Sequence, residues 1–359
     1  MRSIGILLMV LFLGCQQKPE QRGIVIVEEE LFPVDLSGIG KEKLSEYNFF
    51  VGDLKNLSPA TDVVPYDLNS ALFTDYAYKK RFVKIPSGSK ATYNPHEVLT
   101  FPEGTVLIKN FYYPADFRKP TENIRILETR LLLLENGTWK TLPYIWNDEQ
   151  TEAYLDVAGK NIDVSWIHTD GSIKNVKYSV PNMNQCKGCH LLGQQVKPIG
   201  PNARQLNKNF QYPKGIENQF VHWESLGLLA EKPDQQSIPK LAAYENENEN
   251  IDARARAWLE INCAHCHRPE GPAKTSGLHL LANVSSSASL GVGKAPVAAG
   301  KGSGGLLYGI VPGKPDQSIL QFRIESTHPG IMMPELGRTM VHKEGVALVR
   351  QWITQMSDE

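Results

Sequence analysis

The sequence contains the stretch Cys263-Ala264-His265-Cys266-His267 and, upstream, a second copy of the same pattern, Cys186-Lys187-Gly188-Cys189-His190. Each copy is a C-x-x-C-H pentapeptide, which is the attachment signature of a c-type haem. The spacing has a chemical basis, because two thiols three positions apart can each bond one vinyl group of a single porphyrin. The histidine that follows is then close enough to bind the iron from one side. We therefore expect a cofactor at each copy, with the neighbouring chain folded around it.

Other chemistries use the same residue types. A lone C-x-x-C-H can be half of a zinc site or a redox dithiol, and two copies could supply a four-cysteine zinc site. The gap between the copies is 77 positions, 263 minus 186, whereas a zinc-ribbon gap is roughly 15–20 residues. Each copy also has its own histidine, which a shared zinc site would not need. The sequence thus favours two covalently bound haem c groups, one on Cys186, Cys189 and His190 and the other on Cys263, Cys266 and His267.

The remaining iron ligands are predicted from methionine and histidine positions. Met333 stands directly before a proline, on the loop before the last predicted helix, and is the expected second ligand at the downstream site; Met332 is the competitor. His265, inside the rigid pentapeptide, is expected to be solvated. No methionine lies between Cys189 and Met332. His222, on a predicted amphipathic helix, is therefore the candidate second metal ligand upstream. The alternatives for His222 are a hydrogen-bonded histidine at the edge of its helix, with the upstream site open or occupied by water.

The N-terminus predicts export. Residues 1–14 combine a positive start with an apolar run that is typical of a signal peptide and too short to span a bilayer. The run ends Phe12-Leu13-Gly14-Cys15, which resembles a lipobox and implies cleavage before Cys15 and lipid attachment to it. The alternative is an ordinary signal peptide followed by a stray cysteine. We expect residues 15–40 to tether a protein that is anchored to a bacterial membrane and faces the periplasm or the cell surface.

Composition narrows the class of protein. The chain has 359 residues, 41% of them hydrophobic and 21% charged, with a net charge of −1, which is typical of a soluble globular protein of two to three domains. A charge this close to zero gives no general attraction to nucleic acid. Four of the five cysteines lie in the two pentapeptides and the fifth is Cys15. No pair is therefore left for a structural disulfide.

The pattern of apolar and turn residues predicts a multidomain chain. Alternating apolar residues, with turns at Asn136-Gly137 and Asp170-Gly171, predict an N-terminal, mainly antiparallel β sandwich-like domain. The helical patterns further on predict mainly α, cytochrome c-like haem domains. The expected limits are 41–182 for the β-rich domain, 183–245 for the first haem region and 246–359 for the domain with the second haem.

The order of helix, C-x-x-C-H, loop, Met-Pro and final helix resembles a class I cytochrome c over residues 250–357. The wider chain is similar to a bacterial family of secreted dihaem c-type cytochromes, whose members are often encoded beside a parallel β-helix protein. The blocks that carry this similarity are Asp62–Tyr76, Phe111–Phe117, Leu142–Thr151, Asn184–His190 and Asp252–Gly277. The resemblance implies two haems and the domain plan, and it names no substrate.

Three functions fit these features: an electron carrier, a dihaem peroxidase-like or oxidase-like enzyme with an open first haem, and a haem-linked binding module. A second haem ligated by Met333 would have no free position for a substrate. We therefore expect electron transfer between redox partner proteins, with membrane attachment through the N-terminal lipid and no nucleic acid. Whether the chain also catalyses a reaction is left open by the sequence.

Overall fold

The computed structural model describes residues 38–297 and 299–357. Its main element is a six-stranded antiparallel sheet in which every neighbour in space is also the neighbour in sequence. The strands are Val63–Tyr66 (β1), Tyr78–Lys84 (β2), Val106–Pro114 (β3), Ile124–Glu135 (β4), Thr138–Trp146 (β5) and Ala153–Leu155 (β6). Asn136 and Gly137 form the turn between β4 and β5 with φ of 52° and 69°, as a tight hairpin requires.

A separate hairpin of Lys160–Ile167 (β7) and Ile173–Val180 (β8) packs beside this sheet. Its buried Trp166 and Tyr178 share a core with Phe111 and Tyr113 of β3. The two elements are thus joined through aromatic side chains, and the predicted sandwich of two sheets is replaced by one large sheet with a hairpin.

The chain after β8 consists of short elements separated by loops. The helices are Met183–His190 (α1), Ala203–Leu206 (α2), Gln219–Ser225 (α3), Ile251–Leu259 (α4), Ser287–Leu290 (α5), Ile319–Glu325 (α6) and Lys343–Gln355 (α7). The strands are Leu191–Leu192 (β9), Gln195–Val196 (β10), Asn209–Tyr212 (β11) and Gly215–Asn218 (β12). In the described residues, no helix has the length and apolar character needed to cross a membrane.

The predicted fold class is therefore wrong. The described chain is mainly β, and no mainly α cytochrome c-like domain follows the sheet. The longest helix, α7, has only 13 residues. Frequent glycine and proline residues in the second half interrupt helices, because glycine adds backbone freedom and proline removes a hydrogen-bond donor. The predicted domain limits near residues 182 and 245 stay predictions.

The predicted signal peptide, Cys15 and nearly all of the tether lie outside the described residues. The lipid attachment thus stays a prediction.

One face of the six-stranded sheet carries the second half of the chain. Side chains alternate along a strand, so the paired residues Val83, Leu107 and Leu132 point to the same side. They share one core with Trp223 of α3 and Trp352 of α7. The short helices are thus held mainly by burial against the sheet rather than by their own length, since helices this short are marginal in isolation.

Helices α4 and α7 cross at a glycine. A Cβ at Gly345 would lie 2.2 Å from Nε1 of Trp258, which is too close for any other residue. The same Nε1 donates a hydrogen bond of 2.9 Å to Nδ1 of His342. The crossing therefore requires glycine at position 345. It also depends on the hydrogen bond that the buried indole of Trp258 makes with His342.

A buried ion pair ties α2 to the end of α4. Nε of Arg204 lies 2.7 Å from one carboxylate oxygen of Glu260 and 2.9 Å from the other. Nη1 of Arg204 donates to the carbonyl of His96 at 3.0 Å, and Glu260 accepts from the amide of Ala282 at 2.9 Å. Both charges are buried, so each depends on the other for compensation.

We predict that Glu260→Gln lowers the free energy of unfolding by about 3–5 kcal/mol, because it leaves the Arg204 charge buried without its counter-ion. The measurement is urea unfolding. The matched control is Asp62→Asn, which breaks the more exposed pair with Lys84 at 2.8 Å and should cost less than about 1 kcal/mol. Equal effects of the two substitutions would contradict the role given to the buried pair.

Candidate functional site

The upstream Cys-x-x-Cys-His segment forms helix α1. The helix begins at a reciprocal cap, in which the side chain of Asn182 accepts from the amide of Gln185 and the side chain of Gln185 accepts from the amide of Asn182. Nδ1 of His190 lies 2.8 Å from the carbonyl oxygen of Lys197. A carbonyl can only accept, so we assign the proton to Nδ1. The lone pair of Nε2 is then available to a ligand.

The downstream segment continues α4 through a π-helical turn, Glu260–Ala264. Nδ1 of His267 lies 3.0 Å from Oγ of Ser276, and that hydroxyl donates to the carbonyl of Ala273 at 2.8 Å. Since the hydroxyl proton is used, the histidine must donate from Nδ1. Both terminal histidines therefore have the same tautomer.

Burial keeps the terminal histidines of both segments and the downstream thiols uncharged at neutral pH. It lowers the pKa of His190 to about 4 and that of His267 to about 4. It also raises the pKa of the Cys263 thiol to about 12 and that of the Cys266 thiol to about 12. Thiolates are the reactive form of cysteine, so these thiols are weak nucleophiles. Neutral imidazoles, in contrast, are good ligands.

The structure brings the two segments into contact. Sγ of Cys266 lies 3.8 Å from the carbonyl oxygen of Gly188. Three cavities meet around them, and both Cys189 and His265 line all three. Residues 77 positions apart in the sequence thus form one site.

We name the cavities by their walls. The sheet cavity, of about 300 Å³, lies against β2, β3 and β4 and is lined by Cys186 and His190. The rear cavity, of about 540 Å³, is also lined by His190 and reaches Trp139. The downstream cavity, of about 510 Å³, is lined by Cys263, Cys266 and His267. Each cavity is large enough for a small organic group.

Met333 lines both the sheet cavity and the downstream cavity. Buried Arg338 fixes its loop by donating to the Met333 carbonyl at 2.7 Å. Asp75, at the sheet edge, accepts from the amides of Thr339 and Met340 at 2.8 and 2.7 Å. Burial raises the pKa of Asp75 despite these bonds. The predicted ligand thus projects from a loop that is fastened to the sheet.

The other two predicted ligands lie elsewhere. Met332 is buried and lines none of the three cavities. His222 also lines none of them; its Nδ1 lies 2.8 Å from a carboxylate oxygen of Glu217, and its ring stacks on Tyr212 with centroids 3.4 Å apart. The structure therefore does not bring His222 to His190.

His265 is a residue that sequence reasoning placed wrongly. Its position inside the pentapeptide predicted a solvated side chain, but its Nδ1 is buried without a hydrogen-bond partner. Burial lowers its pKa to about 3. No neighbouring residue along the chain indicates this burial, because the upstream pentapeptide that lies beside His265 is distant in the sequence.

Sequence reasoning also missed a row of basic residues on the sheet. Arg81 of β2 pairs in register with Lys109 of β3, which pairs in register with Arg130 of β4. All three line the sheet cavity. Each is an ordinary charged residue in its own strand, so only the register shows them as a group.

Comparisons with models of protein families, with curated proteins and with solved structures found no match. The resemblance to bacterial secreted dihaem c-type cytochromes and to class I cytochromes c is therefore not supported. The mainly β fold of the described chain agrees with that correction.

The predicted cofactor is also corrected. Among residues 38–297 and 299–357, no three His, Cys, Asp or Glu side chains are grouped as a metal site would need. The four cysteines of the two pentapeptides form no disulfide. On these findings the prediction of two covalently bound haem c groups is not supported. This correction does not change the positions of the cysteines, the histidines and Met333 in the structure.

We predict that the free energy of unfolding falls as pH drops from about 6.5, the usual histidine pKa. Burial lowers the pKa of His190, His267 and His342 to about 4 and that of His265 to about 3. Below pH 6.5 the unfolded chain therefore binds protons that the folded chain does not. The free energy of unfolding then falls by up to about 1.4 kcal/mol per pH unit for each of these histidines. The loss stops near pH 4 for His190, His267 and His342 and near pH 3 for His265, where the folded chain is also protonated.

The measurement is urea unfolding at pH 7, 6 and 5 for the wild type and for His265→Gln. The variant has one fewer depressed histidine, so its stability should fall less steeply with acid. Parallel curves would show that His265 is not held neutral by the fold.

Proposed function

We propose that this protein transfers electrons outside the cytoplasm, between redox partner proteins, and that it is held at a bacterial membrane by a lipid on Cys15. The observation that carries the proposal is the contact between the two Cys-x-x-Cys-His segments, with Sγ of Cys266 3.8 Å from the carbonyl of Gly188. Two redox groups held at adjoining segments would exchange electrons over a short path. One electron would enter at one segment and leave from the other, with no net chemistry.

The ligand types support a redox role. Each segment offers a neutral imidazole whose Nε2 is not needed for its own hydrogen bond, and Met333 offers a thioether between two cavities. Soft, neutral donors favour the reduced, electron-rich state of a bound centre. Apolar walls around such a centre limit the access of water and so tune its potential.

The raised thiol pKa values argue against a free dithiol as the redox group. An exchange reaction needs a thiolate, and burial holds Cys263 and Cys266 protonated at neutral pH. We therefore place the redox centre in the cavities, and its chemical class is an outcome of the experiment.

The first test is mass spectrometry of the mature protein purified from membranes of its own bacterium. After denaturation and digestion, the N-terminal peptide should carry lipid at Cys15. A redox titration of the intact protein should show reversible transitions. An unmodified N-terminal peptide from a protein that takes up no electrons would contradict the proposal.

The second test is Met333→Leu, with Met332→Leu as the matched control. Losing the thioether at 333 should lower the midpoint potential of one transition, because the reduced state loses a soft donor. Met332 lines none of the three cavities, so its replacement should leave every midpoint unchanged. Equal shifts in the two variants would indicate a packing effect and would remove Met333 from the site.

A further inference from the structure

The walls of the downstream cavity reach the protein surface at two loops. Val297 and Leu336 both line the cavity, yet their side chains are 66% and 43% exposed. Leu307, two residues before the lining residue Gly309, is 70% exposed. Apolar side chains that are exposed together beside a cavity are typical of an interaction site. We call this part of the surface the mouth of the downstream cavity.

Cations outnumber anions at the mouth. Lys294 and Arg323 line the cavity, and Glu335 is the only carboxylate among its described lining residues. Lys274 lies between two lining residues, and Lys301 is two positions after another; both are exposed. The mouth therefore has a local excess of positive charge, although the net charge of the whole chain is −1.

The three lysines are not neutralised by carboxylates of the fold. In residues 38–297 and 299–357, none of them forms an ion pair, and Nζ of Lys294 donates to the carbonyl of Gly277 at 2.9 Å. Glu335, in contrast, lies 3.7 Å from Nη2 of Arg323. The lysine charges thus remain available to a partner.

Two further carboxylates near the mouth are engaged by arginines. Glu270, two residues before the lining residue Pro272, lies 2.9 Å from Nε of Arg268. Glu325, at the end of α6, lies 2.8 Å from Nη2 of Arg350. These two pairs carry no net charge, so they do not offset the lysines.

The loop that carries two of the lysines has a fixed shape. The carbonyl of Lys294 accepts a hydrogen bond of 2.8 Å from the amide of Gly309. Further along, a Cβ at Gly302 would lie 3.0 Å from Cζ of Arg323, so the loop packs directly on α6. A surface that is already ordered loses less conformational entropy when a partner binds.

We propose that the mouth of the downstream cavity docks an acidic face of a redox partner protein. Carboxylates of the partner would pair with the three lysines, and apolar contact at Val297 and Leu336 would exclude water from the middle of the interface. The downstream Cys-x-x-Cys-His segment lines the same cavity. One electron would therefore pass between the partner and the proposed centre over a short path, with no bond formed or broken. Only this electron rests on the proposed function, because the binding of an acidic surface can be measured by itself.

The first measurement uses the mature full-length protein and poly-L-glutamate as the acidic probe, with isothermal titration calorimetry at low and high ionic strength. The mouth variant combines Lys274→Gln, Lys294→Gln and Lys301→Gln. The matched control makes the same change in net charge at three exposed lysines that do not line the cavity, Lys55, Lys177 and Lys240. The wild type and the control should bind, and more weakly in high salt because salt screens the charges. The mouth variant should bind at least about tenfold more weakly than the wild type in low salt.

The second measurement follows oxidation of the reduced protein by hexacyanoferrate(III), an anion, and by hexaamminecobalt(III), a cation. The mouth variant should slow oxidation by the anion several-fold in low salt and should not slow oxidation by the cation, because the removed charges attract only the anion. The control should leave both rates close to those of the wild type. Urea unfolding midpoints of both variants should equal that of the wild type, since none of the replaced lysines forms an ion pair in the described chain.

The proposal is overturned if polyglutamate does not bind the wild type, or if both triple variants lose binding equally. It is also overturned if the mouth variant alone loses binding but is oxidised by hexacyanoferrate(III) at the wild-type rate, since electrons then pass elsewhere. A protein without redox transitions ends the proposed function and the redox role of the partner. The polyglutamate result then decides the acidic docking surface alone.

Discussion

The buried pair of Arg204 and Glu260 fixes the geometry on which the candidate site depends. Arg204 belongs to the short helix that follows the upstream segment, and Glu260 opens the π-helical turn that leads to Cys263. Their bond of 2.7 Å therefore sets the distance between two segments that are far apart in the sequence. Because both charges are buried, neither can move away from the other without exposing an uncompensated ion to the protein interior.

The need of each buried charge for a partner also explains why so many polar groups surround an apolar core. Arg338 and Asp75 fasten the Met333 loop to the sheet through main-chain groups, so this loop is held by hydrogen bonds rather than by a helix. The basic row on β2 to β4 lies directly below. Buried charges in these positions contribute little net stability. These buried charges instead hold the loops in one arrangement, which hydrophobic contacts alone would not specify.

Local features were predictable from the sequence, and the long-range arrangement was not. The Asn136-Gly137 turn, strands β2 and β3 and the final helix follow from turn chemistry and periodicity. Even within a helix, side-chain partners are not evident from the sequence: Asn250 caps α4, whereas Asp252 accepts from the indole of Trp352 at 2.8 Å. The prediction of a mainly α second half was wrong, because the helical patterns there correspond to short helices separated by loops, of which the longest described has 13 residues. The partners of the basic row depend on strand register, which no single strand encodes.

Charge state also limits what the site can do. Protonated thiols and neutral imidazoles share one buried region because burial disfavours every charged form there, raising the pKa of acids and lowering that of bases. Such residues do not act as nucleophiles or as general acids near pH 7, since their protons stay in place across that range. They can still donate lone pairs. Lys109, which lies against the same region, follows the same rule, because burial and the neighbouring Arg81 and Arg130 lower its pKa well below the usual value.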